Sequence, residues 1–381
     1  MLHTGIGDAE IARLHPQSAS GVHAGAGDAP GQNSMLTLFI NRYFAKWLAR
    51  QDLQELAINR PCEIHLWENG IWTRHIDENL SRAVIEQLGH FLSSYVRKPL
   101  DATNVTLSCT LPDGTRVEMT GPPATVNGYT YVNMRRHAIS AFSLDDFIAQ
   151  RCFENTVHQY NLKISEDQRK AVELQLMPEQ RTMWRLAQAG RWPEFLRMAV
   201  LEYANILVSG ATGSGKTSFI RGLAEMIPTD ERLVTVEDTP EMPLPNHSNV
   251  QGLLYRRDTQ AGAAGGGPKE ILQAAMRKTP KRVLLAELRG DEAFYYLQSV
   301  LNSGHPGGMT TTHANSPRAA FLRLALLIKA SHEGHGLSLE EIKTMLFSLV
   351  DVVVQITFRP GHGRRCSAIY YDPMYAAMMV D

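Results

Sequence analysis

The sequence predicts an α/β protein in two parts, with a C-terminal parallel-sheet domain behind a smaller α+β N-terminal domain. Three observations predict it. From about residue 200 onward, short apolar strands alternate with helical patterns, the order that builds a parallel sheet. A glycine-rich loop, Gly210 to Thr217, lies between the apolar run Ile206-Leu207-Val208 and a helical stretch from Ser218 to Met226. Ahead of residue 140, short strands and two helices form a separate compact pattern of about 100 residues.

The 381 residues suffice for two or three domains at roughly 150 residues each. With 44% hydrophobic and 20% charged residues, the composition is globular. The 38 Lys+Arg nearly balance 39 Asp+Glu, for a net charge of −1, which argues against a strongly basic nucleic-acid binder. The cysteines Cys62, Cys109, Cys152 and Cys366 form no C-x-x-C pair, so neither a zinc ribbon nor a dithiol redox site is expected. They read as small buried hydrophobes of a reduced, cytoplasmic protein. No apolar run approaches the ~18–20 residues that span a bilayer. Arg323 and Lys329 interrupt 319–330, and Asp351 interrupts 347–358. No signal-peptide pattern is visible at the N-terminus, so the expected place is the cytoplasm, with peripheral docking on a membrane compatible with it.

Residues 1–34 are rich in Gly, Ala, Ser and His and predict a disordered tail. Leu38, Phe39, Tyr43, Trp47 and Leu48 recur at helical spacing over 36–51, a helix read as N-domain core rather than a membrane anchor. A hairpin over 63–75 turns at Glu68-Asn69-Gly70, and a second helix follows over 78–96. Strands are predicted near 104–110, 115–119 and 129–134, the first two joined by the turn Pro112-Asp113-Gly114. The N-terminal domain is therefore set at 35–140, a linker at 141–165 and the C-terminal domain at 166–381. Within the latter, strands are expected at 205–209, 232–236, 282–286 and 308–312. A terminal hairpin, 351–358 and 366–371, flanks Pro360-Gly361-His362-Gly363. The glycine-rich run 262–267 reads as an exposed loop, and no internal repeat is visible.

The strongest chemical signal is Gly210-Ala211-Thr212-Gly213-Ser214-Gly215-Lys216-Thr217, which fits G-x-x-x-x-G-K-[ST] in full and stands between a strand and a helix. Its glycines let backbone N–H groups wrap a phosphate, and the helix N-terminus running into Ser218 adds partial positive charge. Lys216 is expected to reach the β- and γ-phosphates of ATP, and Thr217 to ligate Mg²⁺. Carboxylates end two successive strands: Glu237, Asp238 and Glu241 after 232–236, and Glu287 after 282–286. Ligands of open α/β sheets bind at that edge. Glu287 is the Walker-B-type candidate for Mg²⁺, directly or through water. His305 and His313 bracket the strand at 308–312, and their spacing does not suit a helical metal pair. His313 is instead a candidate sensor of the γ-phosphate or the attacking water.

Together these segments resemble the secretion ATPases, and within them the hexameric traffic ATPase of type IV secretion and conjugation systems. The resemblance rests on the complete phosphate loop, on Glu237-Asp238-Thr239-Pro240-Glu241, on Ala286-Glu287-Leu288-Arg289-Gly290, and on Gly304-His305-Pro306-Gly307 with Thr312-His313-Ala314-Asn315. It runs from about 36 to 373; the tail has no counterpart in it. Ala286 stands where Gly is usual, and Lys281 where many relatives place Asp. The resemblance implies a RecA-like C-terminal domain, a hexameric ring, ATP hydrolysis and inner-membrane secretion partners. It also implies that N-domain arginines reach the phosphates, a pattern met by Gly114-Thr115-Arg116, Pro122-Pro123 and Met134-Arg135-Arg136. Glu237 would position or deprotonate water, Glu287 would organise Mg²⁺, and Lys216, Arg116 and Arg135 would stabilise phosphoryl charge. Arg277 and Arg289 are further candidates for subunit contact or phosphate sensing. The rivals are a pilus or type II assembly ATPase, a nucleic-acid translocase, and an ATP-gated docking hub with little turnover.

Overall fold

The computed structural model describes residues 30–136, 142–161, 165–255, 266–302, 304–359 and 361–380. Its first half is built on helix α1 (Pro30–Leu48), strands β1 (Leu53–Arg60), β2 (Glu63–Glu68) and β3 (Ile71–Ile76), helix α2 (Arg82–Val96), and strands β4 (Thr106–Thr110), β5 (Arg116–Thr120) and β6 (Tyr131–Arg135). The six strands form one antiparallel sheet in the order β3-β2-β1-β6-β5-β4. Period-two burial puts Leu56, Ile58, Ile64, Leu66, Val117, Met119, Val132 and Met134 on one face. Helices α1 and α2 cover that face with Leu36, Phe39, Phe44, Ile85, Leu88 and Leu92. Helix α1 opens at Pro30, ahead of the expected boundary at 35; residues 1–29 of the expected tail lie outside the described residues. Strand β1 was not expected. Its pairing with β2 slips between Leu53 and Glu55, and this irregularity erases the alternation that would have marked it.

The segment expected as a linker carries structure of the second half. Ser143 caps helix α3 (Leu144–Ala149), whose Phe147 enters the C-terminal core, and β7 (Val157–Gln159) pairs parallel with the last strand of the large sheet. Helices α4 (Glu166–Glu173), α5 (Pro178–Gln188) and α6 (Trp192–Leu201) follow. Then come β8 (Ile206–Ser209), α7 (Lys216–Ala224), β9 (Leu233–Glu237), β10 (Val250–Leu254), α8 (Pro268–Met276) and β11 (Arg282–Leu285). Helix α9 (Glu292–Tyr295) continues as a π-turn through Leu301. The chain closes with β12 (Met309–Thr312), α10 (Pro317–Ala330), α11 (Leu339–Leu349), β13 (Val352–Arg359), β14 (Gly363–Tyr371) and α12 (Pro373–Val380). Most of the glycine-rich run 262–267 falls outside the described residues.

The large sheet has the order β10-β9-β11-β12-β8-β13-β14-β7. From β10 to β13 all neighbours are parallel; β14 returns antiparallel beside β13. The central strands are buried on both faces, as parallel sheets require. Ile206, Val208, Leu284, Val352 and Val354 point to the layer of α3, α5, α6 and α7. Leu207, Val283, Leu285 and Val353 point to the layer of α8, α10 and α11. Because β8, β9, β11 and β12 run the same way, their carboxyl ends line up on one edge. This alignment gathers residues about 100 positions apart in sequence into one site.

Candidate nucleotide-binding and catalytic site

The loop after β8 is shaped by its glycines. A Cβ at Gly210 would run into the carbonyl oxygen of Ile356 and the hydroxyl of Ser214. Gly215 caps α7 with φ 94, a left-handed conformation that side chains resist. Thr217 and Ser218 follow in the first turn of α7, half-buried. The free N–H groups of that turn and the dipole of α7 aim at the loop. Ser214 Oγ is buried with no hydrogen-bond partner, an orphan acceptor or donor inside the cradle.

Lys216 folds back into this loop. Its Nζ donates to the carbonyls of Gly210 at 3.0 Å and Ala211 at 3.1 Å, and to His313 Nδ1 at 3.2 Å. Burial pushes its ammonium down to about 8, with the positive charges of Arg135 and Arg289 acting in the same direction. Burial also lowers the His313 imidazole below its ordinary value. A neutral ring accepting at Nδ1 carries its proton on Nε2, which lies 2.9 Å from Glu287 Oε1. That contact is close without hydrogen-bond alignment, so Glu287 Oε1 retains acceptor capacity.

From Glu287 the charges continue outward. Glu287 Oε2 accepts from Arg289 Nη2 at 2.5 Å, and Arg289 Nη1 lies 3.5 Å from Asp238 Oδ2. Asp238 Oδ1 in turn accepts from Arg116 Nη2 at 3.3 Å, and the same Nη2 lies 2.8 Å from Glu241 Oε1. Arg116 stands on β5 of the N-terminal sheet, directly opposite Arg135 on β6. Arg135 faces Glu55 at 3.8 Å. Two arginines side by side on a sheet repel one another unless anions sit before them. Asp238, Glu241 and Glu55 supply that charge here, and Arg116 Nε is buried with no hydrogen-bond partner.

Glu237 departs from its expected role. It ends β9 at the correct edge, but its carboxylate turns inward. Oε2 accepts from the backbone N–H of Glu241 at 2.6 Å and of Met242 at 2.9 Å, while Oε1 accepts from Thr235 at 3.2 Å. Burial raises its carboxyl to about 7. Glu237 thus clamps the 238–242 turn that carries Asp238 and Glu241, with both of its oxygens engaged in hydrogen bonds there. His305 is a turn residue whose Nδ1 lies 2.8 Å from the Pro280 carbonyl, and Arg277 is exposed away from the network. Of Arg277 and Arg289, the structure brings only Arg289 to the edge of the site.

Residues 169–360 match the family described as Type II/IV secretion system protein. The chain belongs to that family. VirB11, a type IV secretion system protein of Bartonella henselae, is 35% identical over 334 residues, covering 86% of this chain and 90% of that protein. PtlH, a type IV secretion system protein of Bordetella pertussis, is 33% identical over 327 residues, covering 85% and 92%. A crystal structure of the VirB11 ATPase of the Brucella suis type IV secretion system with sulphate aligns at a TM-score of 0.50 and 32% identity, over 92% of this chain and 98% of that one. The pilus retraction motor PilT with bound ADP aligns at 0.55 with 15% identity, over 91% and 85%, a likeness of fold. No described helix of this family member is long and apolar enough to cross a membrane.

Proposed function

We propose that the chain is the ATPase of a type IV secretion system, converting ATP and water to ADP and phosphate, and that it acts as a homohexameric ring with inner-membrane secretion components. One observation carries the reading: a continuous line of polar and charged side chains runs from Lys216 through His313, Glu287, Arg289 and Asp238 to Arg116. This line joins a complete phosphate loop to an arginine of a second domain, with Arg135 beside it, which is what stabilising a transferred phosphoryl group requires.

Lys216 exchanges the Gly210 and Ala211 carbonyls for β- and γ-phosphate oxygens, and its charge strengthens as they approach. The hydroxyl of Thr217 and the spare Oε1 of Glu287 would hold Mg²⁺, which would supply positive charge against the phosphate oxygens. Glu287 orders the attacking water, and Arg289, donating to its other oxygen, holds that carboxylate in place. Arg116 and Arg135 trade acidic partners for the γ-phosphate, so closure of the N-domain depends on that group. The test is phosphate release and native mass measured with and without Mg·ATP. Turnover by a hexamer supports the reading. ATP binding with negligible turnover would leave a nucleotide-gated docking hub.

A further inference from the structure

Arg364 stands near the start of β14, opposite Phe358 of β13. Its side chain lies along Gly215, where an added Cβ would fall on the Arg364 stem and Nε. The other side of its guanidinium rests 5.2 Å from the ring centre of Phe142. Nε is buried and has no hydrogen-bond partner. Burial lowers the guanidinium from its ordinary range, and no carboxylate acts to raise it among the described residues. Arg364 is half-buried and lacks such a partner, whereas the fully buried arginines Arg169 and Arg282 each hold a carboxylate, Asp372 and Glu231 respectively. A cation without an anion is costly in such a place, and more so against the positive end of α7. The sequence requires glycine at 215 in part because this arginine occupies the adjoining space.

We propose that Arg364 is a phosphate contact of the bound nucleotide, serving the α- and β-phosphates that ADP and ATP share, with Phe142 as the platform that holds its guanidinium flat. The inference rests on the nucleotide reading above and adds a residue to it. Sheet order sets which phosphates it meets. Glu287 and His313 follow β11 and β12, on one side of β8, and mark the γ end. Arg364 comes from the hairpin on the opposite side, across β13. A nucleotide lying over the loop therefore places its γ-phosphate toward Glu287 and its α end toward Arg364. A guanidinium in this setting supplies charge-assisted hydrogen bonds that a lysine reproduces only in part.

Calorimetric titration with ADP and with a non-hydrolysable ATP analogue, on the full chain and on Arg364→Ala and Arg364→Lys, tests the inference. For Arg364→Ala both affinities should drop by a similar factor, about 10–100-fold. Arg364→Lys should fall between. The melting temperature without nucleotide should hold or rise, because an unpaired, half-buried charge is gone, while its increase on adding ADP should shrink. Arg364→Met, which keeps a stem against Gly215 and Phe142, replaces the alanine variant if the hairpin is disturbed. Unchanged ADP affinity, or a loss confined to the ATP analogue, would overturn the inference while leaving the nucleotide reading standing. If the parent protein binds neither nucleotide, that reading falls and this one with it.

Discussion

The two sides of the candidate site are built in different ways. The carboxyl edge of the large sheet presents Lys216, Glu287 and His313 from strand ends and a helix start, positioned by backbone hydrogen bonds and packed on both faces. The N-terminal sheet presents Arg116 and Arg135 from another domain, and Arg116 meets the edge through ion pairs to Asp238 and Glu241. The first side is preorganised in its backbone, so Lys216 only has to exchange its loop carbonyls for phosphate when a nucleotide arrives. The second is exchangeable, because a phosphate can replace a carboxylate at either arginine. The division suggests that chemistry resides on the rigid sheet edge and nucleotide discrimination on the domain that can leave it.

The largest effect expected is on the rigid side. Lys216→Ala should lower turnover about 10³-fold or more, since it deletes the cation inside the cradle. The variant should melt no lower than the parent, because a desolvated ammonium is removed. Parental turnover in a folded variant would remove the phosphate loop from the chemistry. Glu287→Gln should follow, at about 10²–10³-fold, with nucleotide still bound. Retained turnover there would shift the acidic role to Asp238, whose carboxylate lies next along the line.

Arg116→Ala and Arg135→Ala should each cost less, about 10–10²-fold in turnover. Their combination should fall short of the product, since the two residues sit cross-strand and would share one anion. Strict multiplicativity would mean that they act on different groups. Acidity offers a smaller lever. Lys216 loses its proton near pH 8 when no phosphate faces it, and a bound phosphate holds that proton on. ATP affinity should therefore fall as pH rises past about 8, by up to tenfold per unit; a flat profile to pH 9.5 would contradict the burial argument. The smallest change in turnover belongs to Glu237→Gln, under about tenfold, because an amide can keep the three hydrogen bonds of the turn. The raised native pKa of about 7 keeps a proton on folded Glu237 that the unfolded chain has lost, so its contribution to stability declines as pH rises from about 4.5 to about 7. Thermal melts across that range should decline less steeply in the glutamine variant.

Much of the rigid side was legible in the sequence, because a parallel sheet writes its edge as local pattern. An apolar strand followed by Gly210–Thr217, by Glu237 or by Glu287 announces both the strand and what stands at its tip. Orientation was not legible. Nothing in the string Glu237-Asp238 says that the first carboxylate turns back to its own loop while the second faces Arg289 and Arg116. The arginines are marked only by the family resemblance, since two charged residues on short strands carry no local signature. Strand β10 escaped notice because it is an exposed edge strand, and β7 because three residues are too few to show a period. Arg364 carries no sequence signal for a related reason: its significance lies in what fails to neutralise it, a property only packing reveals.

The central claim is that arginines of the N-terminal domain give up carboxylates for the γ-phosphate. It is tested most directly by titrating ADP and a non-hydrolysable ATP analogue into the Arg116→Ala/Arg135→Ala double variant. The account predicts parental ADP affinity together with a loss of at least about tenfold for the ATP analogue. Equal losses for both ligands, or none for either, would contradict it.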